Sequence, residues 1–283
     1  MISGATLLRK QEPLSDFFKK RLSKIAIPLI FWSCFYLWWL SYNGVEIGSW
    51  ALRILSGPTM FHLWFFYTLI GLYLFVPIMR RFYQASSRTE KLFFIITWFV
   101  VASIIPTIHG LIEDGQCGWL NPGILVDYYS LQYFGGYMGY MLLGAFLADR
   151  ENSVRQGIGM YIAASVGTTL LTYFISRKLG APCEFFYLYL SPLVVVAASG
   201  LFIAFIGARP AATSTKVGWI AGSTLGIYCL HPFIIDPLFM SYGLIDLTGS
   251  GWVDPIIATC GVFLLSLLII SFMRLFKILR VVT

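Results

Sequence analysis

Polar residues interrupt this chain only at intervals, and between the interruptions the side chains are almost all apolar. The apolar runs lie at roughly 25–42, 62–79, 92–109, 131–148, 158–176, 186–206, 219–238 and 254–273. A helix rises about 1.5 Å per residue and the hydrocarbon core of a bilayer is about 30 Å thick, so a run of about 20 residues crosses it. The pattern therefore predicts an all-α fold, a polytopic transmembrane helix bundle of about eight spans. No break is long enough to house a soluble domain, so residues 1–283 read as a single membrane-embedded domain. Pro28, Gly135, Gly136, Pro192 and Pro232 fall inside the runs, where neighbouring helices can satisfy the backbone groups they free. Gly135 and Gly139, four residues apart, would let a second helix approach closely.

Composition agrees. Hydrophobic residues make up 58% and charged residues 12% of 283, and the mean hydropathy is +0.77. A soluble domain carries about 25% charged residues, so this chain has too little polar surface to coat a water-facing globule. The net charge of +7 does not point to nucleic acid, because the basic residues sit in the short breaks instead of forming a face. Their distribution sets an orientation. Arg53, Arg177 and Lys178 fall in one alternate set of breaks, and the remaining seventeen of the 20 basic residues fall in the other. The basic-rich side is expected to be cytoplasmic, with both termini on it and membrane lipid around the bundle. Met1–Leu8 is apolar but too short to cross, and Arg9 and Lys10 end it without the pattern of a cleavable signal. Cys34, Cys229 and Cys260 fall in spans, whereas Cys117 and Cys183 fall in outer loops and would be free to pair if that face is oxidising.

No nucleotide loop, metal-ligand cluster or hydrolase motif is present, so no metal is expected. Candidate chemistry resides in polar residues in or beside the membrane, where they are costly. In "STLGIYCLHPF", Thr224, Tyr228 and His231 are spaced i, i+4, i+7 and line one helix face. Pro232 lacks an N–H and frees the carbonyl of Tyr228. His231 reads equally well as a general base in a cavity and as a packing histidine satisfied by a neighbouring helix. In "FHLWFFYTLIGLYLFVP", His62 opens a span with Trp64 and Tyr67 beside it, an arrangement that spacing alone assigns to an aromatic interface facing headgroups. In "FFKKRLSKIAIP", Arg21 and Lys24 share a helix face where the chain leaves the cytoplasm. They suit a polyphosphate ligand or plain positive-inside anchoring.

The segments "FFKKRLSKIAIPLIFWS", "FHLWFFYTLIGLYLFVPIMRRF", "GYMLLGAFLA" and "STLGIYCLHPF", in that order and over essentially the whole chain, resemble the membrane acyltransferase-3 family. More narrowly, they resemble bacterial O-acetyltransferases for surface polysaccharide of the enterobacterial common antigen type. The resemblance implies a multi-pass protein of the bacterial inner membrane, usually with ten spans. Such a protein moves an acyl group, commonly acetyl, from cytoplasmic acyl-CoA to a sugar hydroxyl of a surface glycan or lipid-linked saccharide. It points to His62 and His231 as catalytic, and the residues placed with them along the two segments, Tyr228, Thr224, Trp64 and Tyr67, are expected to line the substrate. It also links Arg21 and Lys24 to the donor, with Lys24 standing where Arg is more usual.

The family's first span carries an Arg followed eleven residues later by a His, and nothing before Met1 supplies that pair. The expectation is an N-terminally truncated form whose natural chain begins about 40–60 residues earlier, with two further spans. Rival readings are a transporter or flippase for a lipid-linked glycan, built on broken helices, and a non-catalytic membrane partner.

Overall fold

The computed structural model describes residues 1–112, 136–208 and 214–283. Among the described residues the regular structure is helical throughout, and seven helical stretches are long and apolar enough to cross a membrane. These are Leu14–Tyr42, Phe61–Ala85, Arg88–Ile112, Val154–Leu179, Phe185–Gly207, Val217–Ile234 and Asp254–Met273. The all-α, polytopic expectation holds. The remaining expected span, 131–148, is described only from Gly136. There Gly136 takes a φ of 73°, in the left-handed region that favours glycine, and an eleven-residue apolar helix, Met138–Ala148, follows.

We number the helices α1 (Ile2–Leu7), α2 (Leu14–Tyr42), α3 (Trp50–Ser56), α4 (Trp64–Ala85), α5 (Arg88–Phe99), α6 (Ile105–Ile112), α7 (Met138–Ala148), α8 (Val154–Leu179), α9 (Pro192–Gly207), α10 (Thr215–Ile234) and α11 (Asp254–Met273). π-helical turns, Val100–Ile104 and Ile235–Met240, continue α5 and α10. α2 starts about three turns before the apolar run does. Its basic stretch is made of good helix formers, and Asp16 in the first turn complements the helix dipole. Membrane entry and helix start are thus separate events in this sequence.

The chain divides into two compact units, residues 1–12 with 74–210 and residues 13–73 with 211–283, the boundary falling inside α4. In the first unit, α8 and α9 touch backbone to backbone. A Cβ on Gly200 would sit 2.7 Å from the carbonyl oxygen of Gly157 and from the amide of Tyr161, so only glycine permits the approach. Gly139 leaves room for the Trp98 indole, whose Nε1–H donates to the carbonyl of Gly136 at 2.7 Å. Gly135 lies outside the described residues. Arg80, only 7% exposed, donates to the carbonyls of Leu7 (3.0 Å) and Glu12 (3.3 Å) and pairs with the Glu12 carboxylate at 3.7 Å. One of the seventeen basic-side cations is therefore a structural tie, where charge counting treats it as a surface anchor. Cys183 is disulfide-bonded, and Cys34, Cys229 and Cys260 are free thiols. Cys117 lies outside the described residues.

The second unit is built around one stripe of α2. Ile25, Leu29, Trp32 and Tyr36 recur at steps of four, three and four, which places them on one face, and all four are buried. They pack with Leu63, Phe66, Ile227, Leu230, Ile234 and Ile270 in a single core. The Trp32 Nε1–H donates to the carbonyl of Val282 at 2.9 Å. This core carries the candidate site.

Candidate active site

The site begins with the missing hydrogen of Pro232. Proline lacks the N–H that an uninterrupted helix would give to the carbonyl four residues back, here Tyr228. His231 Nδ1 lies 2.7 Å from that carbonyl oxygen. A carbonyl only accepts, so Nδ1 carries the hydrogen and, in the neutral ring, Nε2 carries the lone pair. The side chain thereby repairs the backbone defect next to it and acquires a fixed tautomer.

The carbonyl of the following residue, Cys229, accepts from two side chains of other elements. Tyr36 Oη of α2 donates to it at 2.7 Å, and His62 Nε2, from the short turn Phe61–Leu63 before α4, lies at 3.2 Å. By the same logic His62 carries its hydrogen on Nε2, which leaves the lone pair on Nδ1. That nitrogen is buried and has no hydrogen-bond partner among the described residues. The whole residue is 4% exposed. A buried polar atom without a partner is costly, which makes a place for a substrate proton or a water the simplest account of it.

The two imidazoles stand with ring centroids 5.6 Å apart and planes at 68°. Tyr228 completes the group, its ring 5.6 Å from His62 and 6.0 Å from His231, with its hydroxyl donating to the His62 carbonyl. Tyr36 packs edge-on against His62 at 5.2 Å. Two histidines, each with one nitrogen pinned to a carbonyl and the other carrying its lone pair, form a candidate pair for proton transfer.

Of the residues singled out from the sequence, His62, His231 and Tyr228 are brought together. Thr224 shares their helix face but sits about 10 Å farther along the axis than His231. It is exposed, and its hydroxyl bonds back to the Ala221 carbonyl at 2.8 Å. Tyr67 donates to the carbonyls of Ile54 (2.5 Å) and Gly57 (2.9 Å), which fastens the end of α3 to α4. Trp64 packs against Phe65 at 6.1 Å, and it is Phe65 and Phe66 that flank Tyr228. Arg21 lies over the Phe17 ring at 5.7 Å, and Lys24 is exposed one turn on. Fifteen residues separate Arg21 from Tyr36, about 22 Å along α2, so the cations and the histidines occupy different depths. Tyr36 was not singled out from the sequence, although a hydroxyl in the middle of an apolar stripe is a signal in itself. Among the described residues no group of His, Cys, Asp and Glu is placed to hold a metal ion.

Seven membrane-length helices among the described residues, with a polar, histidine-bearing centre in one unit, define a polytopic membrane protein with a candidate proton-transfer site. The family model described as an acyltransferase domain, of the acyltransferase-3 type, matches residues 1–273, and the chain belongs to that family. No curated protein and no solved structure matches it.

Proposed function

We propose that this membrane acyltransferase moves an acyl group, acetyl in the first instance, from cytoplasmic acyl-CoA to a sugar hydroxyl. The acceptor is a surface glycan or its lipid-linked precursor, as in O-acetylation of the enterobacterial common antigen type, and the location is the bacterial inner membrane with both termini cytoplasmic. The chain acts as one membrane-embedded domain. The observation that carries the reading is the pair of imidazoles at 5.6 Å, each with a fixed tautomer. His231, the half-buried one, takes the sugar hydroxyl proton on Nε2 as the oxygen attacks the thioester carbonyl. The tetrahedral intermediate then expels the CoA thiolate, which recovers a proton from the imidazolium, and the ester is left on the sugar. His62 Nδ1 offers a second lone pair beside it. Arg21 and Lys24 hold the CoA phosphates by charge. Their distance from the histidines along α2 suits a donor whose charged head and thioester are joined by a long arm.

The test supplies radiolabelled acetyl-CoA to membranes carrying the full-length protein, followed by extraction of the glycan. Label in the glycan, lost with His231→Ala, is the expected result. Glycan movement across the bilayer without label would make the protein a carrier instead.

A further inference from the structure

A cavity of about 420 Å³ in the first unit, remote in sequence from the histidines, lies where the end of α4, the start of α5 and the α7–α8 connection meet. Its floor is aromatic, formed by the buried rings of Tyr83 and Phe146. Its charged lining comes from Arg88 and Lys91 of α5 and from Asp149, Arg150 and Glu151 after α7. Topological anchoring alone would send these cations outward to water and headgroups. Two of them lie over aromatic rings instead, Lys91 half-buried and Arg150 exposed at the cavity mouth, with Arg88 exposed beside them. Lys91 Nζ rests 4.3 Å from the Tyr83 ring centroid and the Arg150 guanidinium 4.4 Å from that of Phe146.

The acids do not neutralise them. Asp149 is held by Arg9 at 3.0 Å and accepts from the Tyr83 hydroxyl, so its charge is engaged elsewhere. Among the described residues Arg88, Lys91 and Arg150 have no ion pair, which leaves three cations facing one uncommitted carboxylate, Glu151. Arg88 also stands at the first position of α5, where the helix dipole opposes a cation. The helix is capped without it, by Ser87 and Glu90 bonding to each other's backbone amides. Arg88 therefore contributes charge to the cavity and nothing to the cap.

We propose that this cavity binds a phosphate ester, with Lys91, Arg150 and Arg88 as its charge partners and the rings of Tyr83 and Phe146 as its floor. Three cations beside two aromatic rings match a group that carries more than one negative charge on tetrahedral oxygens. The aromatic floor suits the apolar or planar part that such an ester bears. Two sources offer this chemistry, a soluble nucleotide phosphate and an anionic lipid headgroup, and the site stands on its own geometry whatever acceptor the histidines serve.

The experiment uses the full-length protein in nanodiscs. One arm titrates adenosine 3′,5′-bisphosphate into discs of phosphatidylcholine alone, with Arg21→Gln and Lys24→Gln in every protein compared, so that the cations assigned to the donor do not bind the probe. The other measures phosphatidylglycerol retained from mixed discs. Lys91→Gln with Arg150→Gln should weaken binding about tenfold or more in whichever arm the unmodified protein binds. Arg88→Gln, at an exposed position, should weaken it about threefold. The charge-matched control Arg177→Gln with Lys178→Gln should leave it unchanged. Loss in the first arm identifies a soluble ligand, and loss in the second a headgroup. If the double variant aggregates on size exclusion, Arg88→Gln decides. No binding in either arm, no change with either variant, or an equal loss in the control overturns the proposal.

Discussion

At the residue scale the proposed chemistry rests on two nitrogens, and they are separable by substitution. His231→Ala removes the proposed base and should lower acetyl transfer about a hundredfold or more while the protein still reaches the membrane, read by label incorporation beside immunoblotting. Near-normal transfer would make His231 a structural histidine. His62→Gln is the finer probe. A glutamine amide reaches the place of Nε2 and keeps the donation to Cys229, but it supplies no basic nitrogen where Nδ1 was. The melting temperature should therefore hold while transfer falls about tenfold or more. A variant that melts early with transfer per folded molecule intact would return His62 to packing. His231 was legible in the sequence, because its spacing with Tyr228 and the following proline both lie within one turn. His62 was not legible from spacing, which placed it at the headgroups. Its partner is a backbone carbonyl 167 residues away, and no local pattern reports such a contact. Thr224 shows the opposite failure, since a shared face says nothing about distance along the axis.

At the scale of the element, the defect in α10 is what fixes the His231 tautomer. Pro232→Ala would restore an N–H able to bond the Tyr228 carbonyl, in competition with His231 Nδ1. Proline costs a helix interior about 3 kcal/mol, so the variant should melt no lower than the unmodified protein. Transfer should fall about tenfold as the ring loses its fixed orientation, measured with the same label. Unchanged transfer would show that the carbonyl bond is incidental. The helices themselves were readable because length and hydropathy both follow from bilayer thickness. Their ends were less so. α2 begins at Leu14 although its apolar run begins near residue 25, because Lys and Arg leave the membrane without leaving the helix.

For the whole molecule, the asymmetry of basic residues yields a topology that can be tested directly. A reporter active only outside the cytoplasm should be off when fused at Arg88 or Arg150 and on at Gly249. The reverse result would invert the orientation and place Arg21 and Lys24 away from cytoplasmic acyl-CoA. Hydropathy made the spans legible, seven of them among the described residues, and the run at 131–148 is described only from Gly136, whose φ of 73° precedes the helix Met138–Ala148. The grouping into two compact units was not legible, for the boundary falls at Tyr73–Leu74, inside an unbroken apolar helix. One helix carries a consequence for how this sequence can drift over generations. Only 6% of the apolar window of α8 is buried, and Ile162, Val166, Leu170 and Phe174 stand exposed at four-residue steps along it. Lipid selects oiliness and is indifferent to shape, whereas a packed core selects both. A library that shuffles Leu, Ile, Val, Phe and Met at those four positions should survive selection for function almost intact. The same alphabet at Leu29, Phe66, Ile227 and Ile270 should be purged to a few combinations, and a library on α8 purged as severely as that one would show that α8 has a partner other than lipid.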